Sequence, residues 1–249
     1  MRVPELIYCA DGNKRFAKIA IDAGFTYGAK LPAKVYFNPD FVDNEFKSPR
    51  HVPYIRALRK WQPRIASVLD IEEWRRLDEY LLRAEEVAKY CQVVMLIPKV
   101  SGVIKELPKT ILDKPVRLGY SVPSGYSKTS VEPVEFGDWP THLLGGSPSK
   151  QLELTKEMNV VSADGNYAQK LTRFCQFFYP ELLWTEEYKK IVIEDSKKKV
   201  KDRRIRNPIW PTLLEFHGQK WGDGSKKADA PYEAFRRSCE AIMKMWHAQ

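Results

Sequence analysis

The chain has 249 residues, 43% of them apolar and 29% charged, with 41 basic and 32 acidic residues giving a net charge of +9. Aromatic and branched residues run throughout, which excludes disorder for most of the chain. The longest apolar run, near Val93–Pro98, is far short of the ~20 residues of a membrane span. The N-terminus shows no long apolar stretch before a cleavage site, so the cytoplasm is the expected compartment.

In chain order, a short apolar run, a small or polar turn and a segment of helical period recur through the first 180 residues. Glu5–Ala10 reads as a strand stopped by Asp11-Gly12-Asn13, and Lys14–Ala23 as a helix closed by Gly24. Thr26–Lys30 reads as extended, Lys34–Phe37 as a weaker candidate, and the Pro-, Asp- and Asn-containing stretch after it as a loop. Val52–Trp61 is helical, Ile65–Leu69 a strand ending at Asp70, and Glu73–Cys91 the most regular helix. Val93–Ile97 is wholly apolar, as expected of a strand buried on both faces. Val116–Tyr120 and Thr141–Leu144 follow, then a helix at Ser149–Met158, a strand at Val160–Ala163 and a helix at Tyr167–Phe178. The last helix is expected at Tyr232–His247.

Alternation of this kind implies parallel strands joined by helical crossovers. The expected fold is α/β, a TIM-type (β/α)8-like barrel, with an incomplete or modified barrel left open, over residues 1–180, with a basic, partly helical C-terminal extension over 181–249 packed on it. An open doubly wound sheet is the alternative, because no eighth strand stands out.

In either architecture the polar motifs that follow the strands gather at one edge, where ligands bind. Asp11, Asp70 and Asp164 each close an apolar strand. Any one of them alone is as well explained as a helix N-cap; three at equivalent ends favour a shared site, in which carboxylates divide nucleophilic and proton-transfer work. Gly145 and Gly146 join a strand to a helix, where backbone N–H groups hold an anion or a carbonyl or merely form a tight turn. Lys99 is placed to reach a phosphate, an exocyclic oxygen or a neighbouring carboxylate. Tyr120, Tyr126 and Trp139 fall in a Ser-, Gly- and Pro-rich segment that reads as a lid or base-stacking surface. His142 reads as a satisfied core histidine. Four dispersed cysteines and four dispersed histidines suggest no protein-built metal site and no disulfide framework.

Lys189–Arg206 holds nine basic and three acidic residues, among them Lys197, Lys198, Lys199, Arg203, Arg204 and Arg206. Such a run suits a polyanionic partner, although a solvated helix face is the common alternative.

Taken in order, the motifs resemble the tRNA-guanine transglycosylase superfamily, specifically its DNA-directed relatives of phages and genomic islands, which exchange guanine for a 7-deazaguanine. HLLGGSPSKQLEL…NVVSADGN is similar to the family's LMGVGTPEDL-type turn followed by its DCVMPTRN-type strand, which implies Asp164 as nucleophile. VLDIEE resembles the FDE-type strand end, implying that Asp70 reads the base. ADGNKRF resembles the DSGGFQ-type motif more loosely, implying Asp11 in proton transfer or base recognition. RLGYSV occupies the place of the GGL strand, implying that Gly119 and Tyr120 lie beside the base. The family's zinc motif is missing, and DGN replaces both its SGG and PTR portions.

The resemblance implies a glycosyltransferase working through a covalent aspartyl-glycosyl intermediate, with no metal or redox cofactor. Its implied partners are DNA, in preference to tRNA, and a free 7-deazaguanine base, with a homodimer or a helper protein left open. The alternatives are an N-glycosidic hydrolase or nucleoside-processing barrel enzyme, and a non-catalytic DNA-binding protein.

Overall fold

The computed structural model describes residues 3–9, 13–45, 49–123, 129–185, 210, 212–213 and 229–248. Among these residues run nine strands: β1 (Glu5–Tyr8), β2 (Thr26–Leu31), β3 (Phe41–Asn44), β4 (Ile65–Ile71), β5 (Val93–Pro98), β6 (Thr110–Ile111), β7 (Lys114–Ser121), β8 (Thr141–Leu144) and β9 (Val160–Asp164). All but β6 are parallel neighbours in chain order, and the circle closes where β9 pairs with β1, with Ile7 opposite Asp164. β6 is a short antiparallel appendage of β7. The result is a closed eight-stranded α/β barrel, not an open sheet.

The eighth strand is β3, in the stretch expected to be a loop, while 34–37 is irregular. Its four residues FVDN carry little strand signal of their own. Pairing with β2 on one side and β4 on the other, which satisfies the backbone groups of a buried segment, holds it extended.

The outer layer holds α1 (Lys14–Asp22), α2 (His51–Trp61), α3 (Leu77–Ala88), α4 (Pro148–Leu154), α5 (Tyr167–Leu171) and α6 (Ala230–His247). Asn13 caps α1, its side chain accepting the N–H groups of Arg15 and Phe16. The helix expected over Glu73–Cys91 opens as a 3-10 turn at Trp74–Arg76 and ends at Ala88. β2 reaches β3 through residues 32–40 without a helix. α6 packs on α1 and α5, where Phe235 meets Tyr8 and Phe16 at 5.5 and 5.0 Å. Phe235, Cys239, Ile242 and Trp246 belong to the same core as Leu6 and Tyr8, so a boundary at residue 180 does not separate two cores. Among the described residues no helix is long and apolar enough to cross a membrane.

Alternation along the strands divides two cores. Leu6, Ala29, Val42, Ala66, Val94 and Leu118 face the helices, and Ile7, Phe41, Ile65, Met95 and Ile97 fill the barrel. Gly28 is required in that filling: a Cβ there would lie 2.9 Å from both Ile7 Cγ2 and Phe41 Cδ1.

Candidate active site

The inward positions become polar toward the C-terminal ends of the strands. Asp43 follows Phe41 by two residues and shares its inward face. Ser67 donates to Asp43 Oδ1 at 2.9 Å and itself accepts the Asn44 N–H at 2.8 Å. Burial raises the Asp43 carboxyl to about 7, and the negative charges of Asp164 and Asp70 push the same way against Ser67 and Lys30. Sequence reasoning misses this residue, because its strand reads as loop. The available signal is the pattern of two apolar residues and then an acid, Phe41-Val42-Asp43, shared with Val68-Leu69-Asp70.

Asp70 reaches the interior by a register shift between Ser67 and Asp70. Without the extra residue, alternation from Ile65 and Ser67 would turn Asp70 outward; with it, Ile71 takes the outer face instead. Burial raises the Asp70 carboxyl above its ordinary range, and Lys99, with Nζ 3.3 Å from Oδ2, opposes that rise. Lys99 also donates to Ser121 Oγ. Of the three partners considered for Lys99, a neighbouring carboxylate is therefore the one it meets within the chain.

Asp164 ends β9 with a side chain only 10% exposed. Its Oδ1 accepts the N–H of Gly145 at 3.0 Å and lies 3.8 Å from Nε2 of the fully buried His142. Gln151 ties the two strand ends together, donating to the carbonyls of Gly145 (2.7 Å) and Asp164 (2.6 Å). Gly145 and Gly146 both take positive φ, 68° and 85°. A Cβ on Gly146 would lie 2.5 Å from Val122 Cγ1, so this turn admits little but glycine. The Gly145 N–H serves the Asp164 carboxylate rather than an open anion site.

The structure thus brings together Asp70, Lys99, Gly145 and Asp164 from the expected set and adds Asp43, with His142 beneath Asp164. Gly119 lines the barrel wall, where a Cβ would stand 3.0 Å from Ile97 Cγ1 and Leu144 Cδ1. Tyr120 is corrected: with Gly119 inward it faces outward, buried edge-on against Phe136 at 5.3 Å, and is no base contact. Trp139 is corrected too, since it precedes β8 and so sits at the opposite end, under Lys109 Nζ. Asp11, Tyr126 and the basic residues Lys197, Lys198, Lys199, Arg203, Arg204 and Arg206 lie outside the described residues.

The family model of DUF6610, a family of unknown function, matches residues 20–204. The chain belongs to that family. None of the curated proteins and none of the solved structures matches it. The DUF6610 match takes in β2 to β9, and with them Asp43, Asp70, Lys99, His142 and Asp164.

A cavity of about 970 Å³ in this DUF6610 barrel opens at the other end, where the strands begin. There Arg64 Nη2 meets Glu5 Oε2 at 2.6 Å and Asp40 Oδ2 at 2.5 Å. Burial alone would raise the Glu5 carboxyl, but hydrogen bonds from Arg64 and Thr26 win and hold it below the ordinary range. Its two acids are thus already paired with one guanidinium and suited to closing the barrel floor. The upper end, with a carboxyl near 7 and a lysine between carboxylate and hydroxyl, has the groups for chemistry.

Proposed function

We propose that this chain is a base-exchange glycosyltransferase that removes guanine from DNA and inserts a 7-deazaguanine through a covalent intermediate on Asp164. The observation that carries this reading is the pairing of unlike carboxyls at one barrel mouth. Asp164 is held by the Gly145 N–H, and Asp43, within its electrostatic reach, has its carboxyl raised to about 7, where it both gives and takes a proton. That division of labour is what a two-step displacement at a sugar carbon needs.

In the first step an Asp164 oxygen bonds to C1′ of the deoxyribose as the C1′–N9 bond breaks. The electron pair leaves with guanine, which takes the proton of Asp43. In the second step Asp43, now ionised, accepts the N9 proton of the incoming 7-deazaguanine. That nitrogen bonds to C1′ and Asp164 departs as carboxylate. Protons and charges balance without a metal or redox group. The role that the resemblance assigns to Asp11 thereby passes to Asp43.

Asp70 and Lys99 supply recognition. A guanine-type ring offers an acceptor at O6 and donors at N1 and the exocyclic amine. A carboxylate and an ammonium 3.3 Å apart match that edge, with Asp70 accepting and Lys99 donating. The net charge of +9 and the basic run at 189–206 suit a DNA partner, and the target base has to leave the stack to reach the barrel mouth.

The test is mass spectrometry of nucleosides from duplex DNA incubated with the protein and a 7-deazaguanine base. A 7-deazaguanine deoxynucleoside formed with stoichiometric release of guanine is the expected result. Abasic sites without incorporation would replace transfer by hydrolysis, and unchanged DNA would refute the reading.

A further inference from the structure

His142 is completely buried inside the barrel, its ring 5.0 Å from Phe41. Only one of its nitrogens is satisfied. Nδ1 lies 2.7 Å from Ser162 Oγ, whereas Nε2 has no hydrogen-bond partner among the described residues and faces Asp164 Oδ1 across 3.8 Å. A buried ring nitrogen left unpaired is rare enough to require a reason.

The reason starts on β7, two residues before Gly119, which stands opposite His142. Arg117 Nη1 donates to the same Ser162 Oγ at 2.9 Å. A guanidinium only donates, so the hydroxyl oxygen is the acceptor of that bond, and its single proton is left for His142 Nδ1. A neutral imidazole that accepts at Nδ1 carries its hydrogen on Nε2. The opposite tautomer would set the Nε2 lone pair against a carboxylate oxygen, an arrangement of two electron-rich atoms in a buried site.

We propose that Arg117 and Ser162 lock His142 as its Nε2–H tautomer, and that His142 is a positioning residue which, with the Gly145 N–H, holds Oδ1 of Asp164 and leaves Oδ2 as the oxygen that attacks the sugar. The last clause rests on the base-exchange reading; the lock does not. An approach of about 0.8 Å brings Nε2–H and Oδ1 to hydrogen-bond length. Two donors on one oxygen then fix the rotation of the carboxylate about its own axis, and with it the direction of the free oxygen's lone pairs.

Long-range proton–nitrogen correlation spectra of histidine-labelled protein read the tautomer without any substrate, the His142 signals being assigned by their loss in His142→Gln. The expected pattern is a protonated Nε2 and a bare Nδ1 at neutral pH, turning into a mixture in Ser162→Ala. A protonated Nδ1 in the unsubstituted chain, or no change in Ser162→Ala, overturns the lock. Positioning is read from two substitutions in the exchange assay. His142→Gln returns an N–H near the Nε2 position and His142→Asn returns one near Nδ1. Gln should keep kcat within about tenfold, and Asn should lose about 100-fold with KM for the base little changed. Equal losses in the two variants overturn the positioning role. An Nε2–H tautomer in a chain that exchanges no base would leave the lock standing and remove the transferase reading alone.

Discussion

Replacing Asp43 by Asn tests the electrostatics of the site through stability, independently of any substrate. Asn keeps an oxygen for the Ser67 hydroxyl, 2.9 Å away in the native site, and removes only the ability to ionise. Burial, with Asp164 and Asp70 as secondary causes, moves the Asp43 carboxyl from 3.8 to about 7. At about 1.4 kcal/mol per pH unit the ionised form costs the fold about 4 kcal/mol, reduced to about 2–4 kcal/mol by its partial contact with solvent. The sign follows from the direction of the shift. Below pH 3.8 the group is protonated both folded and unfolded and costs nothing. As pH rises to about 7 the unfolded chain releases the proton first, so stability falls progressively and the full cost is reached above that value. Urea denaturation followed by tryptophan fluorescence at intervals from about pH 4 to 8.5 should show Asp43→Asn gaining on the unsubstituted chain by about 2–4 kcal/mol across that window, while base exchange is abolished. Parallel stability curves would refute the raised carboxyl, and with it the assignment of the proton-transfer step.

Asp164→Asn should abolish exchange while leaving DNA affinity, measured by fluorescence anisotropy, largely intact. Because the Asp164 charge raises Asp43, the same variant should shift the Asp43 titration, followed by carboxyl carbon NMR, to lower pH. Lys99→Ala leaves Asp70 without its cation and should cost about 1–3 kcal/mol in denaturation midpoint analysis, with a loss of preference for bases carrying O6. Gly146→Ala forces a side chain into φ 85° and onto Val122 and should cost about 1–3 kcal/mol, against no such loss for substitution at the exposed Val134. Neutralising Lys197, Lys198, Lys199, Arg203 and Arg204 together should weaken DNA binding and flatten its dependence on log salt by about 0.9 for each phosphate no longer neutralised; unchanged binding would show that these residues do not meet the DNA.

What can be read in the sequence follows from how much of each element's signal is local. β5 (VVMLIP) is buried on both faces and announces itself as an apolar run. β8 and β9 end in motifs whose spacing is set by one short turn and one short helix, and Asp164 is accordingly legible. β3 escapes such a reading because two of its four residues are polar: Asp43 serves the site, and Asn44 is buried beside Ser67. These two polar residues thus erase the hydrophobic pattern by which the strand would be recognised, and Asp43 is hidden along with it.

Direction is the second quantity that local pattern cannot supply. Tyr120 and Gly119 are adjacent, and which of them faces the barrel interior depends on strand parity, fixed by the neighbours of β7: Leu118 opposite Thr141 on one side and Leu96 on the other. Asp70 faces inward only because of a bulge that no composition rule announces. The Arg117–Ser162–His142 chain is further still from local reading, since its members stand on three strands and 20 to 45 residues apart. Their contact is created by strand pairing, which sets β8 between β7 and β9. A substitution that leaves those strands folded but shifts β9 by one residue would therefore turn Asp164 and Ser162 out of the barrel together. For that reason Asp164 and Ser162 are best probed by side-chain changes within the native register.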